Sequence, residues 1–219
     1  PVTPTTAILT FRFLMKGAGS IRETLQLSNR QKDSSATDAC GWVVAVSEGV
    51  TIRPARREDV QAILVIYNAA VQEPASAYED APHTLSQREM WFDHFSNRDF
   101  PIVVAELDDI VVGWGSLGPH QERTGFRFTG SVAVYVDKMY RRRGFGGQLL
   151  EALLEAGRQR QLHAVLAVID SQNGPSLELH QEHGFTQAGV LREAGCKFGE
   201  WRDAVYLQRL LDDRPVPEP

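Results

Sequence analysis

Cysteine is almost missing from these 219 residues, occurring only at Cys40 and Cys196. Two thiols frame neither a disulfide scaffold nor a cysteine-based zinc site, and such sparing use fits a reducing, cytoplasmic setting. Cys196 reads as an inert thiol rather than a nucleophile. Long apolar runs are missing too: none approaches the ~20 residues needed to span a bilayer, so no membrane role is expected. Nor is there an excess of basic residues. With 23 Lys and Arg against 28 Asp and Glu, the net charge is -5 and the pI near 5.7. A nucleic-acid partner would require the opposite balance. No metal and no internal repeat is expected.

The length suits one substantial domain plus an appendage. Residues 1–49 read as an N-terminal extension with little periodicity. Within it, Arg12 to Lys32 is basic with a single acid, Glu23, a composition shared with transit peptides. A poorly ordered extension is the plainer reading. The apolar patch Cys40 to Val50 adds a strand or pads the domain, which is expected over residues 50–211. The acidic, proline-rich tail 212–219 is expected to fray.

Within the domain, Thr51 to Ala55 reads as a strand closed by Pro54. Val60, Ile63, Leu64, Tyr67 and Val71 recur at helical spacing. A second helix is expected from Ser86, with Glu89 completing a capping box and Met90, Trp91 and Phe95 facing inward. Ile102 to Leu107 and Ile110 to Leu117 form a hairpin across Asp108-Asp109. Arg127 to Val136 makes the next strand, followed by a basic, glycine-rich turn and a helix to about Arg160. Ala164 to Ile169 has the unbroken apolar character of a buried strand. Asn173 opens a short helix, with Pro175 near its start and Gly184 at its stop. Phe185 to Arg192 and Ala204 to Leu210 close the sheet through a loop at Gly199.

The turn itself, Arg141-Arg142-Arg143-Gly144-Phe145-Gly146-Gly147, lies between the strand Ser131 to Val136 and the helix starting near Gln148. Unpaired N–H groups at a helix start, a favourable macrodipole and nearby guanidinium groups together suit a phosphate. Gly144 and Gly146 let the main chain approach a ligand. No Gly-Lys-Ser/Thr follows, so this is not a Walker loop. The third glycine and the acidic residue of a dinucleotide fingerprint are also missing.

The turn matches Arg/Gln-x-x-Gly-x-Gly/Ala and in this resembles the GNAT superfamily of acetyl-CoA-dependent N-acetyltransferases. Asn173 to Ser176, Leu179-His180, Gly184-Phe185 and the segment Gly195 to Asp203 are similar to the phosphinothricin acetyltransferase branch. The resemblance covers Thr51 to Leu211. It implies an α/β (α+β) fold with a central mixed, mostly antiparallel sheet flanked by helices. It also implies acetyl-CoA as co-substrate and a small primary amine, of phosphinothricin or methionine sulfoximine type, as acceptor. A homodimer is implied as well. Cofactor contacts would come from the main chain of Val134, Tyr135 and Val136, from Arg141, Arg142, Arg143, Gly144, Phe145 and Gly146, and from Asn173 and Ser176. Asn173 and Ser176 equally suit helix caps. Lys197, Trp201 and Asp203 would shape the loop and the dimer or pocket wall.

Acetyl transfer needs a base for the ammonium and a donor for the oxyanion, but no enzyme nucleophile. Here the sequence departs from the branch. Ser131 stands where the branch carries its glutamate base, and Gln121, with Arg123 nearby, stands where it carries an arginine for substrate carboxylate. A serine positions water but is no base at neutral pH. His180 is then the leading titratable candidate, weighed evenly against a surface or capping histidine. His120 and Glu122 are further candidates, and Tyr78 and Glu79 read as a solvated loop. Two other functions stay open: a weakly catalytic acetyl-CoA-binding sensor, motivated by Ser131, and a protein or peptide N-acetyltransferase.

Overall fold

The computed structural model describes residues 44–45 and 49–216. The expected extension therefore lies outside the described residues, except for Val44–Ala45. One sheet of eight strands runs in the order β1-β2-β3-β4-β5-β6-β8-β7. In chain order the strands are β1 (Val44–Ala45), β2 (Val50–Pro54), β3 (Ile102–Leu107), β4 (Ile110–Pro119), β5 (Thr129–Val136), β6 (Ala164–Asp170), β7 (Thr186–Lys197) and β8 (Glu200–Leu210). The helices are α1 (Val60–Val71), α2 (Leu85–Ser96), α3 (Phe145–Gln159) and α4 (Gly174–Glu182). Every neighbouring pair is antiparallel except β5 with β6. Expected order and sheet type are both found, and β1 falls in the apolar patch before the domain. Among the described residues no helix is long and apolar enough to cross a membrane.

Side-chain alternation divides the core between the two faces of the sheet. Val132, Val134 and Val136 pack with Leu149, Leu150, Leu153 and Leu154 of α3. Tyr135 faces the other way, toward Tyr67 of α1, Phe92 of α2 and Trp114 of β4. Gly113 and Gly115 leave room for α3, since a Cβ on either would meet Leu149 or Leu153 within 3.1 Å.

Several local expectations need correction. The α2 capping box is Thr84 with Gln87, two residues earlier than read. Met90 is 63% exposed, whereas Arg88 and Phe92 turn inward. The closing strands are longer than expected and meet in a tight turn, with Phe198 and Gly199 both at positive φ. The tail is tied down as far as Arg214: Asp212 bonds His163 Nδ1 at 2.7 Å, and Arg214 bonds both Asp212 and the Gln161 carbonyl. The Asp108-Asp109 hairpin is as read, with both residues at positive φ, as a two-residue type I′ turn requires.

A buried ion pair locks β6 to β8. Arg202 donates from Nε and a terminal nitrogen to the two Asp170 oxygens at 2.7 and 2.8 Å, both side chains being at most 3% exposed. Burial pushes the Asp170 carboxyl up, but hydrogen bonds from Arg202 and the Gln172 N–H outweigh it and hold the group below its usual range. Its stabilisation is thus full above the unfolded-state value and disappears as pH falls through the folded one. Arg202→Met strands a buried carboxylate and is expected to cost about 3–5 kcal/mol in urea unfolding at pH 7. Asp170→Leu combined with Arg202→Met should cost less than Arg202→Met alone.

Candidate active site

The parallel pairing of β5 with β6 covers only Thr129 to Ser131 against Ala164 to Leu166, and then stops. β5 continues to Val136 bound only to β4, and β6 to Asp170 bound only to β8. Beyond Ser131 the two strands have parted. Asp137 N–H donates to Val112 O and His120 N–H to Thr129 O, which fixes the odd-numbered residues of β5 as those bonded to β4. The carbonyl of Val132 and the main-chain groups of Val134 and Val136 therefore face the gap. An extended amide-bearing chain entering there can pair with them as a further strand would. The expected contacts at Val134 and Val136 match this geometry. Tyr135 points its main chain at β4 and stacks its ring on Trp114, with centroids 4.8 Å apart.

The basic turn closes the open end of the gap. Gly144 caps α3 at φ 82°, a left-handed conformation. The first intrahelical bond is from Gln148 N–H to Gly144 O. The N–H groups of Phe145, Gly146 and Gly147 are thus left for an anion. The side chains divide the labour differently from the sequence reading. Phe145 is buried in the core, so its main chain alone remains for a ligand. A Cβ on Gly146 would meet Leu179 at 3.2 Å, so this glycine also serves the approach of α4. Arg141 turns back, donating to Val136 O and, through both terminal nitrogens, to Glu73. Arg142 and Arg143 are exposed, Arg142 at φ 63°.

At the start of α4, Asn173 Oδ1 accepts from Ser176 N–H at 3.2 Å. This is the cap reading of Asn173, and it leaves the amide Nδ2 to donate elsewhere. One turn on, His180 is 4% exposed. Its Nδ1 lies 2.8 Å from the Ser176 carbonyl, which can only accept, so the proton sits on Nδ1. Nε2 is buried without a partner, and the ring stands edge-on to Phe185. Burial pushes the imidazole below its usual pKa, so it is neutral and has no Nε2 proton to give. His180, weighed evenly as a titratable site residue and as a surface or capping histidine, is buried on the α3 and α4 side of the sheet.

Ser131 lies on the opposite face, at the apex of the gap. Its Oγ is 3.1 Å from His120 Nδ1. Glu122 is held by Arg98 in a two-pronged pair at 2.7 and 2.9 Å, which lowers its pKa. Tyr78 is not a free loop residue: its ring packs on Gly195, and its hydroxyl donates to Asp203 O. Burial pushes its phenol up to about 12. Lys197 is buried and donates to the carbonyls of Glu73 and Ala77, tying this loop to the closing hairpin. Trp201 is exposed.

Sequence reasoning missed Arg88. It is 2% exposed, sits 3.9 Å over the Tyr67 ring and 4.7 Å over Trp91, has a terminal nitrogen 3.2 Å from His83 Nδ1, and pairs with no carboxylate among the described residues. Its one sequence signal is the i,i+4 relation to Phe92 on the inward face of α2. A separate cleft of about 410 Å³, lined by Phe92, Phe100, Ala156 and Arg160, contains none of the predicted site residues. Among the described residues no cluster of three or more metal-ligating side chains occurs.

The two glycines of the turn should separate experimentally. Gly144→Ala strains the left-handed cap by about 1–2 kcal/mol and crowds the anion site, so calorimetry should show acetyl-CoA affinity falling at least tenfold. Gly146→Ala should instead lower the melting temperature with affinity changed less than threefold.

Comparison with known proteins agrees with this geometry. Residues 63–185 match the acetyltransferase (GNAT) family. The chain is 39% identical over 163 residues to an L-methionine sulfoximine/L-methionine sulfone acetyltransferase of Pseudomonas aeruginosa, covering 74% of this chain and 95% of that one. It is 33% identical over 172 residues to the phosphinothricin N-acetyltransferase of Streptomyces viridochromogenes, covering 78% and 92%. The yncA acetyltransferase of Salmonella typhimurium, solved with its cofactor acetyl-CoA, superposes with a TM-score of 0.75 at 34% identity, covering 78% and 99%. A split sheet, an anion-binding helix start and relatives that span nearly their whole length place this chain in the GNAT acetyltransferase family.

Proposed function

We propose that this protein moves the acetyl group of acetyl-CoA to the primary amine of a small amino-acid-like acceptor, of the phosphinothricin or methionine sulfoximine type. The observation that carries the reading is the gap, with the main chain of Val132, Val134 and Val136 leading from the α3 start toward Ser131. From Val136 to Ser131 the strand climbs about 17 Å at ~3.4 Å per residue, comparable to an extended pantetheine arm. A pyrophosphate at the N–H groups of Phe145, Gly146 and Gly147 then brings the thioester to the apex. Asn173 Nδ2 and the Ser176 hydroxyl line the same side, and Arg142 and Arg143 flank the phosphates. Arg88, a buried cation without a carboxylate partner, lends positive potential to the acceptor face and supports an anionic acceptor.

His180 belongs to the sulfur's side of the gap. Its bare Nε2 accepts and orients rather than protonates. His180→Asn should therefore leave acetyl-CoA affinity within threefold and preserve the pH–rate limb. The activity test follows thiol release from acetyl-CoA with L-methionine sulfoximine, L-methionine sulfone, L-phosphinothricin and lysine-containing peptides. Turnover of at least one of the three amino acids, well above the peptides, is expected. Ser131 favours one competing reading, an acetyl-CoA sensor with little catalysis. Tight acetyl-CoA binding with no turnover of any amine, and gain of turnover by Ser131→Glu, would establish it instead.

A homodimer is supported by the closing hairpin. Val190, Leu191, Phe198 and Trp201 are exposed there, and β7 is an edge strand 12 residues long. Sedimentation should show a dimer at micromolar concentration, and Leu191→Glu with Trp201→Glu should yield monomers. The exposed free thiol of Cys196 supports a cytoplasmic location. The catalytic domain is taken as residues 50–211.

A further inference from the structure

We propose that His120 takes the proton from the acceptor ammonium, acting through the Ser131 hydroxyl. This rests on the acetyltransferase reading above and names its base. Ser131 is the last residue of β5 paired to β6, so its side chain stands at the apex of the gap, on the face turned toward α1 and α2. His120, just past the end of β4, sets Nδ1 3.1 Å from Ser131 Oγ. Its main-chain N–H is fixed on Thr129 O, and its ring is held edge-on by Phe126 at 5.5 Å. Both side chains are half-buried, reachable by substrate yet positioned by their neighbours. The other titratable candidates have partners or places of their own, His83 lying against Arg88 and Glu79. Glu122 is bound to Arg98, Tyr78 carries a raised phenol, and His180 lies across the sheet.

The proton path balances. In the Nε2–H tautomer, the form a free neutral imidazole prefers, Nδ1 accepts the Ser131 O–H. The ammonium gives one proton to Ser131 Oγ as the serine proton passes to Nδ1, leaving a neutral amine and an imidazolium. The amine nitrogen then bonds to the acetyl carbon as the C–S bond breaks. The second nitrogen proton leaves with the sulfur to give the free thiol, and the imidazolium releases its Nδ1 proton back through the Ser131 hydroxyl to solvent, which restores the Nε2–H tautomer. Serine is a relay here, never a base.

Charged groups near this imidazole are the paired Glu122 and Arg98, His94 whose Nε2 is 3.3 Å from Arg98, and exposed Arg123. Arg98→Gln therefore serves as the control that shifts the local field without touching the dyad.

Two measurements test the assignment, and the first needs no acceptor. Long-range proton–nitrogen NMR on the full chain with labelled histidine should report His120 as the Nε2–H tautomer, with Nδ1 changed by Ser131→Ala. An Nδ1–H tautomer that ignores Ser131→Ala overturns the proposal even if the enzyme is active. The second is kinetic, with L-methionine sulfoximine, or failing it whichever panel amine is turned over. His120→Phe and His120→Gln should each lower kcat about 100-fold or more and abolish the acidic pH–rate limb. KM and calorimetric acetyl-CoA affinity should stay within threefold, and the melting temperature near wild type. Ser131→Glu placed in the His120→Phe background should restore most of the rate, because a carboxylate at the apex replaces the dyad. A folded His120→Gln with kcat within threefold and its acidic limb intact overturns the assignment. If no amine is turned over, the acetyltransferase reading fails while the NMR result still decides the dyad.

Discussion

Every functional feature of this molecule depends on one interrupted pairing. β5 and β6 share three residues of parallel ladder and then separate, each remaining bound to its other neighbour. A strand edge left bare inside a domain costs free energy unless something pairs with it. The fold keeps the strands apart by packing α3 and α4 beneath the gap, with Gly146 and Leu179 in contact at their junction. The Val132 carbonyl, the main chain of Val134 and the Val136 N–H then become a preformed template rather than a defect. Because its ladder is already spent on β4, β5 need not move when a partner chain arrives.

The acceptor side is built from buried polar posts instead of apolar packing alone. Asp170 with Arg202 joins β6 to β8, while Lys197 and Tyr78 fasten residues 73–80 to the closing hairpin. Each post is saturated by named partners, so it fixes geometry without leaving a reactive group. Glu73 is shared: its carbonyl receives Lys197 and its carboxylate receives Arg141. The acceptor-side loop and the phosphate turn are thereby braced through one residue.

Periodicity made the scaffold legible. The apolar spacing of α1, the strand at Ala164 to Asp170, the Asp108-Asp109 turn and the glycine-rich helix start were all readable, because each rests on local chemistry. Positions whose role depends on distant neighbours were not. Gly146 looked like a ligand glycine, yet its missing Cβ accommodates Leu179 from a helix more than thirty residues away. Arg141 looked like a phosphate ligand, yet Glu73 holds its side chain. Met90 faces out and Arg88 in, because the inward face of α2 is set by its packing with α1 and Trp114 rather than by local spacing. The closeness of His120 and Ser131 is a matter of strand register, which a single sequence does not display.

Replacing a carboxylate at the apex by serine with an adjacent imidazole alters more than the identity of the base. A glutamate would attract the acceptor's ammonium but repel its carboxylate. A neutral dyad does neither, which leaves fixed positive potential from buried cations such as Arg88. Burial lowers its proton affinity, offset only by Tyr67, Tyr135 and a distant Glu79. The guanidinium nonetheless stays charged, since its ordinary pKa lies so far above neutrality. A cation that meets no carboxylate in the protein gains most from an anion brought by the ligand, because the desolvation cost has already been met in folding. The proposed dyad thus carries a further expectation, selectivity for anionic over neutral amines.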